Sequence, residues 1–184
     1  MKIKEILNTT EHRPWTMPDG NWKFYQEWND AIFLHWPVNK IELKKLVPEG
    51  IEIDLFEGKS WVSVVAFTME KIRPRFFPPL APISNFHEIN IRTYVRHKEK
   101  AGVYFLSIEG GRKISCHVAR MLSELPYRYS KMNRADDHYR STNSEYNDNL
   151  DLEFKVGKKI NEKSELDIWL TERYALFQDG KQGI

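Results

Sequence analysis

The stretch EINIRTYVR, Glu88 to Arg96, sets four residues able to do chemistry at every second position: Glu88, Asn90, Arg92 and Tyr94. Ile89, Ile91, Thr93 and Val95 fall between them. A period of two is the mark of a β-strand with unlike faces. Alternate side chains project together, so the acid, amide, guanidinium and phenol share one side. That side either faces water or lines a polar cavity inside a curved or closed sheet. In an apolar cavity a carboxylate has a raised pKa, which makes Glu88 a candidate general acid/base near neutrality. Asn90, Arg92 and Tyr94 are then candidate ligand-binding residues. The plainer reading is that Glu88 and Arg92 form a structural ion pair or a solvated strand face.

Other chemistry is thinly represented. The chain has no P-loop, no glycine-rich dinucleotide fingerprint, no HExxH and no Gly-x-Ser-x-Gly elbow. Its six histidines, at 12, 35, 87, 97, 117 and 138, lack metal-ligand spacing, so no metal and no other cofactor is expected. Cys116 is the one cysteine, which excludes an intrachain disulfide and a paired-thiolate zinc site. On a helix the neighbouring His117 diverges from it by about 100°, so the two make no nucleophile–base pair. Cys116 is expected as a core thiol and His117 at a helix edge. Gly110-Gly111 makes a turn, or presents N–H groups to an anion.

The elements that must position these residues follow from pattern. With 184 residues, 41% hydrophobic and 29% charged, the chain suits one globular domain. A net charge of +2 gives no footprint for nucleic acid. No run approaches the ~20 apolar residues of a membrane span, and no signal peptide is visible, so no membrane association and a cytoplasmic location are expected. Residues 8–30 read as an irregular lead-in whose aromatics pack over the body. Residues 31–37 read as a strand. Asn39 caps a short helix with Ile41, Leu43, Leu46 and Val47 on its apolar side. Residues 51–57 and 60–67 read as two strands joined by a hairpin turn at Glu57-Gly58-Lys59. The proline-rich stretch 73–86 reads as an irregular segment, either a lid or a rigid connection.

A strand at 102–108 follows the opening one, after a turn at 97–101. Residues 111–125 are the clearest helix, with Ile114, Val118, Met121, Leu122 and Leu125 at helical spacing and Pro126 as the stop. YRYSKM, HYRSTN and LDLEFKV read as successive antiparallel strands. Ser164 caps a last helix, followed by a short apolar run, and Glu172 with Arg173 reads as a fold-stabilising polar pair. His35 is expected at the core edge with a satisfied hydrogen bond. The fold class is α+β, mostly antiparallel, with one main helix inserted mid-sheet.

Four segments carry a resemblance: AIFLHWPVNKIELKKLVPEGIEIDLFEGKSWVSVVAF, FHEINIRTYV, GVYFLSIEGGRKISCHVARMLSELPYRYSKM and WLTERYALF. Over residues 31–177 the chain resembles the YqjF-like bacterial family, a domain-of-unknown-function family, which is similar in turn to acetoacetate decarboxylase. The resemblance implies a conical closed β-barrel enclosing a small-molecule cavity. It implies a single domain whose family core spans 31–177 and whose C-terminal strands, beyond Gln178, are missing. A barrel short of strands exposes an edge, so either a partner chain that covers it, as in a homo-oligomer, or poor solubility is expected. The decarboxylase forms a Schiff base through one of two adjacent lysines after a proline. Here Pro126 is kept, while Tyr127 and Arg128 stand at the lysine positions. Neither makes an imine. Asn29 matches a substrate-binding arginine, and Glu88 matches a cavity glutamate. Tyr127 and Arg128 thereby join the candidate ligand-binding residues.

Three functions follow. The first is a small-molecule-binding protein that keeps the cavity and lacks the imine lysine. The second is a lyase- or hydrolase-type enzyme on a small keto acid or aromatic, with Glu88 as acid/base and Arg92 or Arg128 holding the carboxylate. The third is a structural or assembly protein with a filled barrel.

Overall fold

The computed structural model describes residues 3–179. In chain order these form α1 (Ile3–Asn8), β1 (Phe24–Val38), α2 (Lys40–Lys44), β2 (Glu52–Ile53), β3 (Ser60–Pro74), α3 (Ala81–Ser84) and β4 (Phe86–His97). They continue with β5 (Lys100–Gly110), α4 (Lys113–Ser123), β6 (Tyr127–Tyr129), β7 (Lys131–Arg134), β8 (His138–Asn143), β9 (Asp148–Glu153), α5 (Glu165–Thr171) and β10 (Leu176–Phe177).

The main sheet runs β1-β3-β4-β5-β10, with β2 added to β4 and β6 added to β5. The long neighbours β1, β3, β4 and β5 pair antiparallel in that order. A second sheet, β7-β8-β9, is wholly antiparallel. The class is therefore α+β and mostly antiparallel. Among the described residues the ladder ends at β1 and at β10 and does not close into the conical barrel that the resemblance implies.

The strand EINIRTYVR lies at the centre of the sheet, with both of its edges paired. On one face Ile89 packs with Ala66 and with Tyr139 of the small sheet. Val95 packs with Leu43, Val47, Ile51 and Ile53 from the α2 region. Glu88, Asn90, Arg92 and Tyr94 project from the other, inner face, and all four are buried. Arg96 leaves the pattern at the strand end, where it is exposed and pairs with Asp54 at 3.4 Å.

Several sequence expectations need correction. The lead-in ends earlier than residue 30, because β1 begins at Phe24. Its alternation is hidden by register shifts at 25–27 and 29–32, with Asp30 at φ 51. Residues 51–57 give only the two-residue β2, which pairs with β4. The turn at Glu57-Gly58-Lys59 is closed by a single Phe56–Lys59 bridge. The proline-rich stretch is partly regular: β3 runs to Pro74, opposite Phe24, and α3 places a proline in its first turn, where a missing N–H costs nothing. YRYSKM splits in two: Tyr127–Tyr129 forms β6, parallel to β5 after the α4 crossover, whereas Lys131 and Met132 begin β7, the first strand of the antiparallel run β7-β8-β9.

The apolar stripe of α4 is the largest departure. Ser115 and Cys116 are its buried residues, whereas Ile114, Met121 and Leu122 are exposed. The helix docks through small side chains. Ser115 donates to the Ile83 carbonyl at 2.8 Å, and Cys116 Sγ lies so near Gly110 that a β-carbon there would sit 2.7 Å from it. The caps read from sequence are present: Asn39 accepts from the Ile41 and Glu42 amides, and Ser164 forms a capping box with Asp167.

Candidate functional site

Residues opposite one another on neighbouring strands share a face. Glu88 sits between Phe67 and Gly110, Asn90 between Val65 and Ile108, Arg92 between Ser63 and Phe105, and Tyr94 beside Val103. His35 and Phe33 of β1 extend the same face, opposite Ser63 and Val65. The polar row is thus set in an apolar bed of Val65, Phe67, Ile108, Cys116 and Tyr127.

Glu88 is 1% exposed. Burial lifts its carboxyl from the ordinary 4.5 to about 7, and a hydrogen bond from Tyr127 works against the rise. That bond, from the Tyr127 hydroxyl to Glu88 Oε2, measures 2.8 Å. Asn90 lowers the value in the same direction, yet neither its Nδ2 nor its Oδ1 has a hydrogen-bond partner of good geometry. The backbone carbonyl of Glu88 accepts from Tyr139 at 3.2 Å, which pins this position from the opposite face. Burial and the Glu88 charge push the Tyr127 phenol well up. An acid that changes charge near neutrality, beside an unsatisfied amide, suits proton transfer or ligand contact.

Arg92 does not pair with Glu88. Its guanidinium lies 5.1 Å from the Phe33 ring centroid, and its Nε is buried without a partner. Burial is the main cause lowering its pKa, and the Tyr94 phenol works the other way. Tyr94 bonds with Ser63 at 2.5 Å, and Ser63 with His35 Nδ1 at 2.6 Å. Burial, then the Arg92 charge, lower the His35 pKa.

Tyr127 joins the site and Arg128 does not. In the β5–β6 register Tyr127 is level with Ile108 and Arg128 with Glu109, so the two point to opposite faces. Arg128 stacks on Tyr146 at 4.0 Å and lies 4.0 Å from Asp148. Asn29, on β1, donates to Glu70 at 3.0 Å. Glu172 and Arg173 are not one pair: Glu172 meets Lys163 at 2.5 Å, while Arg173 meets Asp54 at 2.6 Å. Sequence reading missed Trp61, Ser63 and Arg173 as neighbours of the inner face. Trp61 and Ser63 carry a signal, because they alternate with Val65 and Phe67 along β3. Arg173 carries none, since it arrives from a distant segment.

A cavity of about 670 Å³ opens beside this row, walled by Phe24, Ile72, Phe77, Leu80, Val118 and Leu122 among others. Of the α4 stripe, Val118 and Leu122 line this groove, Leu125 belongs to the core, and Ile114 and Met121 are exposed outside both. Tyr127 also lines the groove, but Glu88, Asn90 and Arg92 do not. Tyr127 is thus the side chain shared by the cavity and the buried acid. A larger open cleft of about 830 Å³, lined by residues such as Asp136, Glu153 and Phe154, lies away from this chemistry. Among the described residues no group of three or more His, Cys, Asp or Glu converges as a metal ion needs. No helix among them is long and apolar enough to cross a membrane.

The uncharacterized protein YqjF of Bacillus subtilis (strain 168) is 36% identical over 169 residues, covering 88% of this chain and 70% of the relative. Acetoacetate decarboxylase from Legionella pneumophila superposes with a TM-score of 0.49 at 14% identity, over 69% of this chain and 50% of that one. An acetoacetate decarboxylase-like enzyme from Sphingomonas wittichii gives a TM-score of 0.47 at 15% identity, over 66% of this chain and 48% of that one. The chain spans about half the length of these solved structures. The model of the DUF2071 family, described as an uncharacterized conserved protein, matches residues 25–184, and the chain belongs to that family.

Proposed function

We propose that the protein binds a small organic molecule on the inner face of β3, β4 and β5, around Glu88, without imine chemistry. The observation that carries this reading is the buried Glu88 carboxyl, lifted to about 7 and held by one hydrogen bond from Tyr127. A structural acid is normally surrounded by enough donors to stay charged. This one is not, and the adjacent Asn90 amide has donor and acceptor to spare. Asn90 and Arg92 are the binding groups in this reading. Tyr127 links them to the apolar cavity, and the open sheet serves as one wall of a decarboxylase-like barrel. Tyr127 and Arg128 at the lysine positions leave no amine for a Schiff base.

A second reading, an acid/base enzyme acting on a small keto acid or aromatic, is favoured by the near-neutral Glu88 value. Both readings are tested by a thermal-shift screen of small carboxylates, keto acids and aromatics against wild type and Glu88→Gln. A compound at about 100 times its dissociation constant adds about 2.7 kcal/mol of stability. A shift in wild type that the variant loses is the expected result. Equal shifts in both proteins sink the Glu88-centred site.

A further inference from the structure

We infer that the Arg92 end of the inner face is an oxyanion-binding subsite completed by Trp61, Asn90 and Arg173. The inference deepens the reading just given and rests on the inner face being a ligand site. It starts from four buried donors that share a neighbourhood and lack a partner: Trp61 Nε1, Asn90 Nδ2, Arg92 Nε and an Nη of Arg173. Trp61, Tyr94 and Trp169 belong to one cluster. Trp169 packs on Tyr94 at 4.6 Å. Arg173 lies 4.2 Å from the Trp169 ring and 5.3 Å from that of Tyr94. Arg92 is near enough to Arg173 for the second charge to depress the first.

The charges do not balance. Arg92 is 5% exposed, and no carboxylate among the described residues pairs with it. Asp54 answers Arg173 at 2.6 Å and is shared with Arg96 at 3.4 Å. The remaining hydrogen bond of Arg173 goes from Nε to the Trp169 carbonyl at 2.6 Å. Two buried guanidinium groups and one acid leave a positive excess where solvent cannot screen it. A buried charge is tolerated when it is paired. Here the missing partner is negative and accepts hydrogen bonds, which describes a carboxylate or a phosphate group. Guanidinium forks and an indole N–H match the in-plane lone pairs of such oxygens. Glu88 lies four strand residues from Arg92, roughly 13 Å at the usual rise, so its own carboxylate does not fill the role.

The test uses the full chain at constant ionic strength with chloride as reference. Inorganic phosphate and benzoate are titrated by calorimetry into wild type, Trp61→Phe and Arg92→Gln, each checked for native circular dichroism. Wild type should bind one of the two anions saturably, and the preferred anion tells phosphate from carboxylate. Trp61→Phe should weaken that binding about tenfold, the usual cost of one hydrogen bond to a charged group. Arg92→Gln should abolish it. Should Arg92→Gln fail to fold, Arg92→Lys takes its place and should weaken binding at least tenfold, because it loses the fork. Saturation by neither anion overturns the inference, as does wild-type affinity in both Trp61→Phe and the Arg92 variant. Ligands from the screen that need Glu88, found without any anion effect, would remove this subsite alone. Anion binding without such ligands would remove the Glu88 reading alone.

Discussion

Two buried glutamates on neighbouring strands are treated in opposite ways. Glu109 of β5 is 7% exposed and faces the small sheet. Its two oxygens accept from Ser130 at 2.5 Å and from Asn143 at 3.1 Å. Asn143 is held in turn by the amides of Glu145 and Tyr146. Glu88 of β4, on the other face, has one well-formed donor, Tyr127, and a neighbouring amide, Asn90, without a hydrogen bond of good geometry. Both acids cost free energy to bury. At Glu109 the surroundings offset that cost and tie β5 to β8 and to the β6–β7 junction. At Glu88 the cost is left standing, which is the pattern of sites that trade stability for function.

That contrast sets an order of expected effects. The largest concerns Glu88. Its folded value of about 7 lies above the ordinary 4.5, so the folded chain holds the proton more tightly than the unfolded chain. The contribution is fully present below about pH 4.5 and is lost as pH rises through about 7, by about 3 kcal/mol in all. Denaturant melts of wild type and Glu88→Gln across pH 4 to 8 should show that slope in wild type only. A parallel slope in the variant breaks the contrast.

Glu109→Ala comes next. It strands the Ser130 and Asn143 donors in the interior and should cost about 2 kcal/mol in the same melts. It should leave binding at the Glu88 face unchanged. Tyr127→Phe is smaller, about 1 kcal/mol, for one hydrogen bond. Because Tyr127 holds the Glu88 value down, its loss should move the Glu88 midpoint upward. Arg128→Gln should stay within about 0.5 kcal/mol, as a loose, partly exposed pair at 4.0 Å contributes little, and should not alter ligand binding. An Arg128 variant that abolished binding would restore the site drawn from sequence.

How much of this was legible before the fold was known follows from range. The β4 alternation, the Asn39 cap and the Ser164 cap are local, and each is present. The grouping of Glu88, Asn90, Arg92 and Tyr94 needs only strand periodicity, so it too is visible in sequence. The start of β1 was hidden because a bulge at Asp30 breaks the alternation. The α4 stripe misled because an apolar helix face signals burial of some kind, and cannot distinguish a packed core from a cavity wall. Arg128 was misplaced because the resemblance gave its position and not its face, which the β5–β6 register decides. Arg173 and Trp61 meet at Tyr94 only through the tertiary fold.

The most direct measurement is an NMR titration of the Glu88 side-chain carboxyl in the full chain, assigned by its absence from Glu88→Gln. A midpoint near 7, rising in Tyr127→Phe, is the expected result. A midpoint near 4.5, unmoved by Tyr127→Phe, would mean that Glu88 is as well compensated as any structural acid, and the site proposed around it would fall.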